Sequence, residues 1–361
     1  MVKVRNIKVS AFQKRAATEK IVCICAGQDF RELCEKCPQM VGQIQYVIDN
    51  YRKERQIWLG SRAVPVLSMG EMPSDIKDAL VVVTSLQYAE EIIRQLDGLE
   101  QWDGMEVYVP ALFWADDDKL VLTDHDKQRI PKKIHYCWFG KSRIPERFQR
   151  NIESWKRILP DYEICRWDES NYDYTKNRYM RQAYEAGKWG FVPDYARLDL
   201  INTYGGIYLD TDVEVVRPLD VFLQYELFCG FQDVWSINFG LGFGGVSDHP
   251  ILCDMMEGYE RTLFVTQDGT LNMTASPVYQ TKVLEKYGLI RNGSSQRGEH
   301  FAAFSMEYFS PIHMYGMGNI TEKTYSVHQY AGTWFGEAQR RTREKVNASV
   351  AFVMGRICED D

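Results

Sequence analysis

Apolar and polar positions alternate in blocks along the first 110 residues. Lys20-Ile-Val-Cys-Ile-Cys25, Gln45-Tyr-Val-Ile-Asp49, Leu80-Val-Val-Val-Thr84 and Glu106-Val-Tyr-Val109 are short runs rich in β-branched residues, the signature of buried strands. Between them, Asp29 to Met40 has helical character. Tyr88 to Leu96 sets Ala89, Ile92, Ile93 and Leu96 on one helical stripe. Alternating strands and helices with short connections predict a small parallel α/β sheet of Rossmann type over residues 1–110. Residues 111–129 break the pattern. Asp116-Asp117-Asp118 and Asp124-His125-Asp126 crowd charge there, which predicts a linker with solvated turns more than a metal site.

A second pattern opens at Ile130. Lys133-Ile-His-Tyr-Cys-Trp-Phe139 predicts a strand, Phe148 to Leu159 a helix closed by Pro160, and Tyr162-Glu-Ile-Cys-Arg-Trp167 a second strand. Pro193 to Tyr204 predicts a helix with Leu200, Ile201 and Tyr204 on its apolar side, stopped by Gly205-Gly206. Ile207-Tyr-Leu209 then reads as a strand running out into Asp210-Thr211-Asp212, and Val213-Glu-Val-Val216 as its continuation. A catalytic domain over residues 130–335 and a tail over 336–361 follow. That tail is basic from Gln339 to Lys345 and apolar from Val346 to Ile357. It is read as a solvated helix packing on the catalytic domain. The competing reading lays it on an anionic membrane surface.

Composition narrows the function classes. The 361 residues are 45% hydrophobic and 26% charged, the profile of a folded protein long enough for two domains. Net charge is −7 with no long run of one sign, which argues against nucleic acid as partner. No apolar run reaches membrane-spanning length and no signal-peptide core is evident, so a cytoplasmic location is expected, with peripheral contact at the inner membrane face left open. The nine cysteines are scattered and odd in number, which reads as reduced thiols. Cys23, Cys25, Cys34 and Cys37 are read as buried apolar cysteines rather than a zinc site, since Cys23 and Cys25 lie in a run predicted to be a strand. The sequons at Asn272, Asn292, Asn319 and Asn347 carry no weight without a secretion signal.

The first domain is a weak dinucleotide binder on its sequence. Asp49 ends the second strand, where a ribose-binding acid belongs. The turn Ala26-Gly27-Gln28-Asp29-Phe30, however, has one glycine where three are needed, and Asp29 would repel a pyrophosphate. Asp29 reads better as a helix N-cap.

The chemistry concentrates around Asp210 and Asp212. In extended geometry residues two apart point the same way, so both carboxylates are expected to converge. Like charges held close raise each other's pKa, and a Mn2+ or Mg2+ ion removes that penalty. An acidic pair after one strand is common, so the pair alone is weak evidence. The preceding helix adds Asp194 and Arg197 one turn apart. Arg197 can pair with an acid or a phosphate, and Asp194 can accept from sugar hydroxyls. A structural ion pair is the competing reading.

Asp194, Arg197, Gly205-Gly206 and Tyr208-Leu-Asp-Thr-Asp212, in that order, resemble the motif of glycosyltransferase family 32. That family includes capsular-polysaccharide sugar transferases and yeast-type initiating mannosyltransferases, with clostridial glucosylating toxins more distantly similar. The resemblance covers roughly Ile130 to Trp334, with Ile130-Pro-Lys-Lys-Ile-His-Tyr-Cys-Trp-Phe-Gly140 matching the opening strand. It implies a GT-A nucleotide-sugar-binding catalytic domain behind the small Rossmann-like one. It implies Trp138 near the base, Asp194 and Arg197 at the donor sugar, Asp210 shared between ribose and metal, and Asp212 on the metal. His328 is then a third metal ligand, Trp334 a diphosphate contact, and Asn238 a donor contact. Core packing for Trp138, a structural role for His328 and a plain turn around Asn238 stay open. So do the loops 231–248 and 262–276 as walls of an acceptor pocket.

These expectations add up to a metal-dependent, retaining hexosyltransferase using a nucleotide sugar, UDP- before GDP-, on a polysaccharide or glycolipid acceptor. A nucleotide-binding sensor and a metal-dependent phosphohydrolase are the alternatives. The missing Gly-x-Gly-x-x-Gly counts against the first and against a nicotinamide oxidoreductase. Only six histidines count against the second.

Overall fold

The computed structural model describes residues 1–71, 76–123, 127–332 and 337–357; Asp124-His125-Asp126 lie outside them. The chain forms two compact units, Met1–Asp116 with Gly336–Asp361, and Asp117–Phe335. The boundary falls inside the stretch expected as a linker.

The first unit contains β1 (Lys3–Arg5), α1 (Val9–Ala16), β2 (Ile21–Ile24), α2 (Gln28–Lys36), β3 (Ile44–Ile48), β4 (Gln56–Leu59), β5 (Arg62–Leu67), β6 (Leu80–Val83), α3 (Ala89–Asp97) and β7 (Glu106–Tyr108). They build a seven-stranded sheet in the order β1-β7-β6-β2-β3-β5-β4. All neighbours run parallel except the β4–β5 hairpin. Every residue of β2 and β6 is buried, as continuous apolar runs require at the centre of a parallel sheet. The hairpin has no strong sequence signal, because Pro65 interrupts it. Asp29 is not the N-cap of α2: Gly27 takes that position without a side-chain cap. Asp29, exposed in the first turn, bonds Ser85 instead, and partial desolvation raises its pKa.

The second unit follows as β8 (Lys133–Cys137), α4 (Glu146–Ile158), β9 (Glu163–Trp167), α5 (Arg178–Glu185), α6 (Pro193–Tyr204), β10 (Gly206–Tyr208), β11 (Val213–Val215), β12 (Leu227–Asp233), β13 (Ser236–Ile237), β14 (Phe243–Gly245), α7 (Pro250–Glu260), α8 (Ser276–Lys286), β15 (Gln296–Gly298), β16 (Phe301–Phe304), α9 (Met306–Phe309) and β17 (Ser326–His328). A mixed sheet runs β15-β16-β12-β14-β10-β8-β9, with β13 beside β12, and β11 pairs β17 in a separate ribbon. Strand alternation divides the core. Leu227, Cys229 and Phe231 face one cluster with α6 and α7, while Phe228, Ile134 and Ile207 face another with α4. The protein is thus a mixed α/β fold, as its pattern predicted.

The C-terminal segment corrects an expectation. It forms α10 (Glu337–Met354), which belongs to the first unit and not to the second. Val346, Val350 and Val353 are buried, Ser349 Oγ accepts from Glu90 N at 3.0 Å, and Arg356 pairs with Asp97 at 2.7 Å. The apolar half therefore packs on α3, while Arg340, Arg341 and Lys345 stay exposed. Among the described residues, no helix is long and apolar enough to cross a membrane.

Candidate metal and donor site

The site forms where the chain leaves the large sheet. The helix α6 ends at Gly205, φ +61°, and a Cβ on Gly206 would sit 2.9 Å from the Lys133 carbonyl and 3.0 Å from His135 Nε2. Only glycine lets β10 lie so close to β8. His135 fixes this corner. Trp167 Nε1 donates to its Nδ1 at 3.1 Å, so its Nε2–H donates to the Gly205 carbonyl at 3.0 Å. Burial pushes its pKa down to about 4, and it stays neutral.

Beyond Tyr208 the backbone turns, with Val213 N donating to the Asp210 carbonyl at 3.0 Å. The convergence of Asp210 and Asp212 therefore does not come from an extended strand, as the two-residue spacing suggested, but from a turn between β10 and β11. The partner strand supplies the third group. Val213 pairs with His328 across β11–β17, and ligand atoms of Asp210, Asp212 and His328 all lie within 4.8 Å of one another.

Backbone contacts fix Asp212. Its Oδ2 accepts from Ala331 N at 2.9 Å, its carbonyl from Gln329 N at 2.9 Å, and its Oδ1 lies 3.2 Å from His328 Nε2. Burial alone would raise the Asp212 pKa, but His328 overrides it and holds the carboxyl below its usual range. For His328 burial pulls downward, and the Asp212 charge and hydrogen bond leave the pKa raised. Asp210 behaves oppositely: burial raises it, Arg197 opposes, and Asp212 raises it further.

Arg197 and Asp194 lie beneath this cluster, each only 4% exposed. One Arg197 Nη2 reaches Asp194 Oδ1 at 3.1 Å and Asp210 Oδ1 at 3.5 Å. Its Nε donates to the Pro193 carbonyl at 3.1 Å. Burial pushes Asp194 up to about 7, against the pull of Arg197 and with the help of Asp210's charge. The structure thus brings Asp194, Arg197, Asp210, Asp212 and His328 into one network.

The other expected residues are placed as follows. Asn238 caps its own turn, its Oδ1 accepting from Gly240 N at 2.7 Å and its Nδ2 donating to Gln232 Oε1 at 3.0 Å. Trp138 is half-buried, its Nε1 donating to the Ser142 carbonyl at 2.7 Å and its ring 5.9 Å from Phe148. Trp334 lies outside the described residues.

Three groups were not anticipated. Asn151 on α4 donates to the Thr211 carbonyl at 2.9 Å and accepts from Gln329 at 3.0 Å, pinning the middle residue of the acidic turn. Trp155, one turn on, donates to the Val213 carbonyl at 2.9 Å. The available signal was an asparagine one helical turn from both Phe148 and Trp155 on the buried face of α4. Gly240 is the third: a Cβ there would collide with Asp210 Oδ2. Gly240→Ala is expected to displace that carboxylate and weaken Mn2+ affinity roughly 10- to 100-fold, the size of an outer-shell defect. Calorimetric titration would measure it, and unchanged affinity would remove Gly240 from the site.

Residues 145–229, which hold Asp194 through Asp212, match the family described as glycosyltransferase sugar-binding region containing DXD motif. The chain is 24% identical over 182 residues to inositol phosphoceramide mannosyltransferase 1 of Schizosaccharomyces pombe, covering 45% of this chain and 53% of that protein. It is 31% identical over 139 residues to inositol phosphoceramide mannosyltransferase 3 of the same yeast, covering 37% and 38%. The match thus spans about half the length of these relatives or less. Among solved structures it is similar to the PaToxG glycosyltransferase, at 19% identity and a TM-score of 0.36, over 44% of this chain and 68% of that one.

Proposed function

We propose that this protein is a metal-dependent glycosyltransferase that moves a hexose from a nucleotide sugar to a glycolipid acceptor, with retention of anomeric configuration. The observation that carries the proposal is the convergence of Asp210, Asp212 and His328 within 4.8 Å, on a segment similar to DXD-type sugar transferases. Two carboxylates and an imidazole form a donor set suited to Mn2+, and to Mg2+ less well because of the nitrogen. The bound ion would supply positive charge to neutralise the departing diphosphate. The two yeast relatives are mannosyltransferases named for inositol phosphoceramide, which favours a glycolipid acceptor over a capsular polysaccharide.

The chain's own residues do the rest. Arg197 holds Asp210 in place and adds fixed positive charge beneath the donor. Asp194, locked by Arg197 and by Ser276, is set to receive sugar hydroxyls. Trp138 offers a half-exposed ring for the base. The described network shows no free carboxylate placed as a second nucleophile, so the acceptor hydroxyl is assigned same-face attack with the leaving phosphate taking its proton.

The test is donor hydrolysis and transfer across a panel of UDP- and GDP-hexoses, with and without EDTA. Chelation is expected to abolish turnover and Mn2+ to restore it; turnover that persists in EDTA contradicts the reading, and an inverted product removes the stereochemical part. A pH dependence follows as well. The metal must displace the proton that the raised His328 pKa retains, so Mn2+ affinity is expected to fall about tenfold per pH unit below that pKa. Affinity that does not change between pH 8 and pH 5.5 would exclude His328 as a ligand.

A further inference from the structure

Three strands of the second unit run the same way and end on one edge of its large sheet. β10 is parallel to β8, and β10 and β12 are both antiparallel to β14, which lies between them. The carboxyl ends of β8, β10 and β12 lead in turn to Trp138, to Asp210 and to Gln232-Asp233. Such an edge is where open α/β sheets bind ligands. A donor laid with its base at Trp138 and its diphosphate at Asp210 brings its sugar end towards β12.

The end of β12 is built differently from the rest of it. Its first five residues are buried, and Gln232 and Asp233 are half-buried. Phe231 pairs with Ile237 and Asp233 with Ser236, so Gln232 is an extra residue on its strand. Bulges of this kind re-aim side chains beside a site. Hydrogen bonds tie the bulge to the acidic turn. Asp210 N donates to the Gly240 carbonyl at 3.3 Å, Gly240 N to Asn238 Oδ1 at 2.7 Å, and Asn238 Nδ2 to Gln232 Oε1 at 3.0 Å. Asp233 stands at the far end of this line. Its Oδ1 accepts from Trp235 N at 2.7 Å, while its Oδ2 has only Gln232 Nε2 at 3.4 Å, long for such a bond. Both donors are uncharged, and among the described residues no Lys or Arg pairs with Asp233. A half-buried carboxylate with spare acceptor capacity and no cation attracts hydroxyl groups and repels anions.

A complementary donor stands near it. His313, half-buried on the loop after α9, lies close enough for the Asp233 charge to act on its ring, which burial keeps neutral. Its Nδ1 accepts from Tyr315 N at 3.3 Å, so its proton sits on Nε2. The loop is braced at both ends. His313 N donates to the Met317 carbonyl at 2.7 Å, and Ser310 shares a 2.6 Å hydrogen bond with the hydroxyl of Tyr330, two residues beyond His328. An acceptor oxygen and a neutral N–H side by side match adjacent hydroxyls on one ring, each of which can donate or accept.

We propose that Asp233 and His313, with Gln232 orienting the carboxylate, form the acceptor subsite and that it takes a neutral polyol ring. Asp233 accepts from one ring hydroxyl and His313 donates to its neighbour. Both are positioning residues, and the attacking hydroxyl still gives its proton to the leaving phosphate. That the ring is the acceptor rests on the glycosyl-transfer reading; that a polyol binds there does not.

The probes are myo-inositol and methyl α-D-mannopyranoside, which separate a cyclitol from a hexose, and cyclohexanol, a ring with a single hydroxyl. Saturation-transfer NMR with Mn2+ and UDP or GDP present is expected to show binding of at least one polyol, with cyclohexanol weaker by about tenfold or more. Asp233→Asn and His313→Phe should each weaken the polyol by a similar factor, and His313→Gln, which keeps an N–H, should recover part of that loss. In turnover the ratio of transfer to donor hydrolysis, read in one reaction mixture, should fall by about tenfold in Asp233→Asn and in His313→Phe. A general loss of folding lowers both products and leaves that ratio unchanged. Failure of both polyols to bind, equal binding of cyclohexanol, or unchanged polyol affinity in Asp233→Asn and His313→Phe overturns the proposal. Asp233-dependent polyol binding by a protein with no donor turnover instead removes the transferase reading and leaves the polyol site standing.

Discussion

Asp212→Asn is expected to lower kcat/KM for nucleotide-sugar turnover by roughly three orders of magnitude, about 4 kcal/mol of transition-state stabilisation. The substitution keeps the size of the side chain and an oxygen for the Ala331 N–H, which Asp212 Oδ2 now receives at 2.9 Å. What it removes is the negative charge that a divalent ion requires and that His328, 3.2 Å away, also senses. Mn2+ affinity should fall with activity, by at least a hundredfold. The His328 pKa should drop too, because burial then acts on it without the opposing carboxylate. The fold should persist, since the three-residue β11–β17 pairing does not depend on that charge. NMR titration of the His328 ring, Mn2+ calorimetry and donor hydrolysis make three separate readouts. An Asp212→Asn protein with full turnover sinks the metal assignment outright. One that loses turnover but keeps Mn2+ affinity would move the ion to other ligands.

The sequence made the acidic pair visible but not the reason for its convergence. Asp210 and Asp212 stand in a run whose apolar neighbours read as one continuous strand, so the turn at Val213 N–Asp210 O had no local signal. The break is set by pairing. Tyr208 pairs with β8 and β14, while Val213 pairs with His328, which lies 115 residues further along the chain. A contact at that separation leaves no trace in periodicity. Elements with an apolar stripe several residues long were legible, as in α3 with Ala89, Ile92, Ile93 and Leu96 buried, whereas β12, α7 and α8 were not read from the sequence. Nor were the three-residue strand β1 and the Pro65-bearing hairpin. Asn151 was hidden for another reason. An asparagine on a buried helix face reads as an imperfection until its partners, Thr211 and Gln329, are in view. The destination of α10 was also beyond reach, because an apolar half-helix fits any exposed stripe and nothing in it names α3.

Arg197→Met should have the largest effect on stability, about 3–5 kcal/mol, because it leaves two carboxylates without their shared cation in a buried place. Arg197 is 4% exposed and lies 3.1 Å from Asp194 and 3.5 Å from Asp210. At roughly 2–4 °C per kcal/mol for a unit of this size, the melting temperature should fall by about 10 °C. The sign of the pH dependence separates this cause from lost packing against Tyr208, over whose ring the guanidinium lies at 5.2 Å. Asp194 already has a folded-state pKa of about 7, above its unfolded value. A carboxyl raised in this way binds more protons folded than unfolded, so its contribution is present at low pH and is lost as pH rises through the folded pKa. Removing Arg197 raises that pKa further and leaves Asp210 unopposed. The deficit of the variant should therefore deepen from pH 6 to pH 8 in urea unfolding. Asp194→Asn placed on the Arg197→Met background should recover part of the loss, most of all at pH 8, because it deletes one of the two stranded charges. Additive losses in the double mutant, or a deficit that does not vary with pH, would show that Arg197 supports the fold by packing alone.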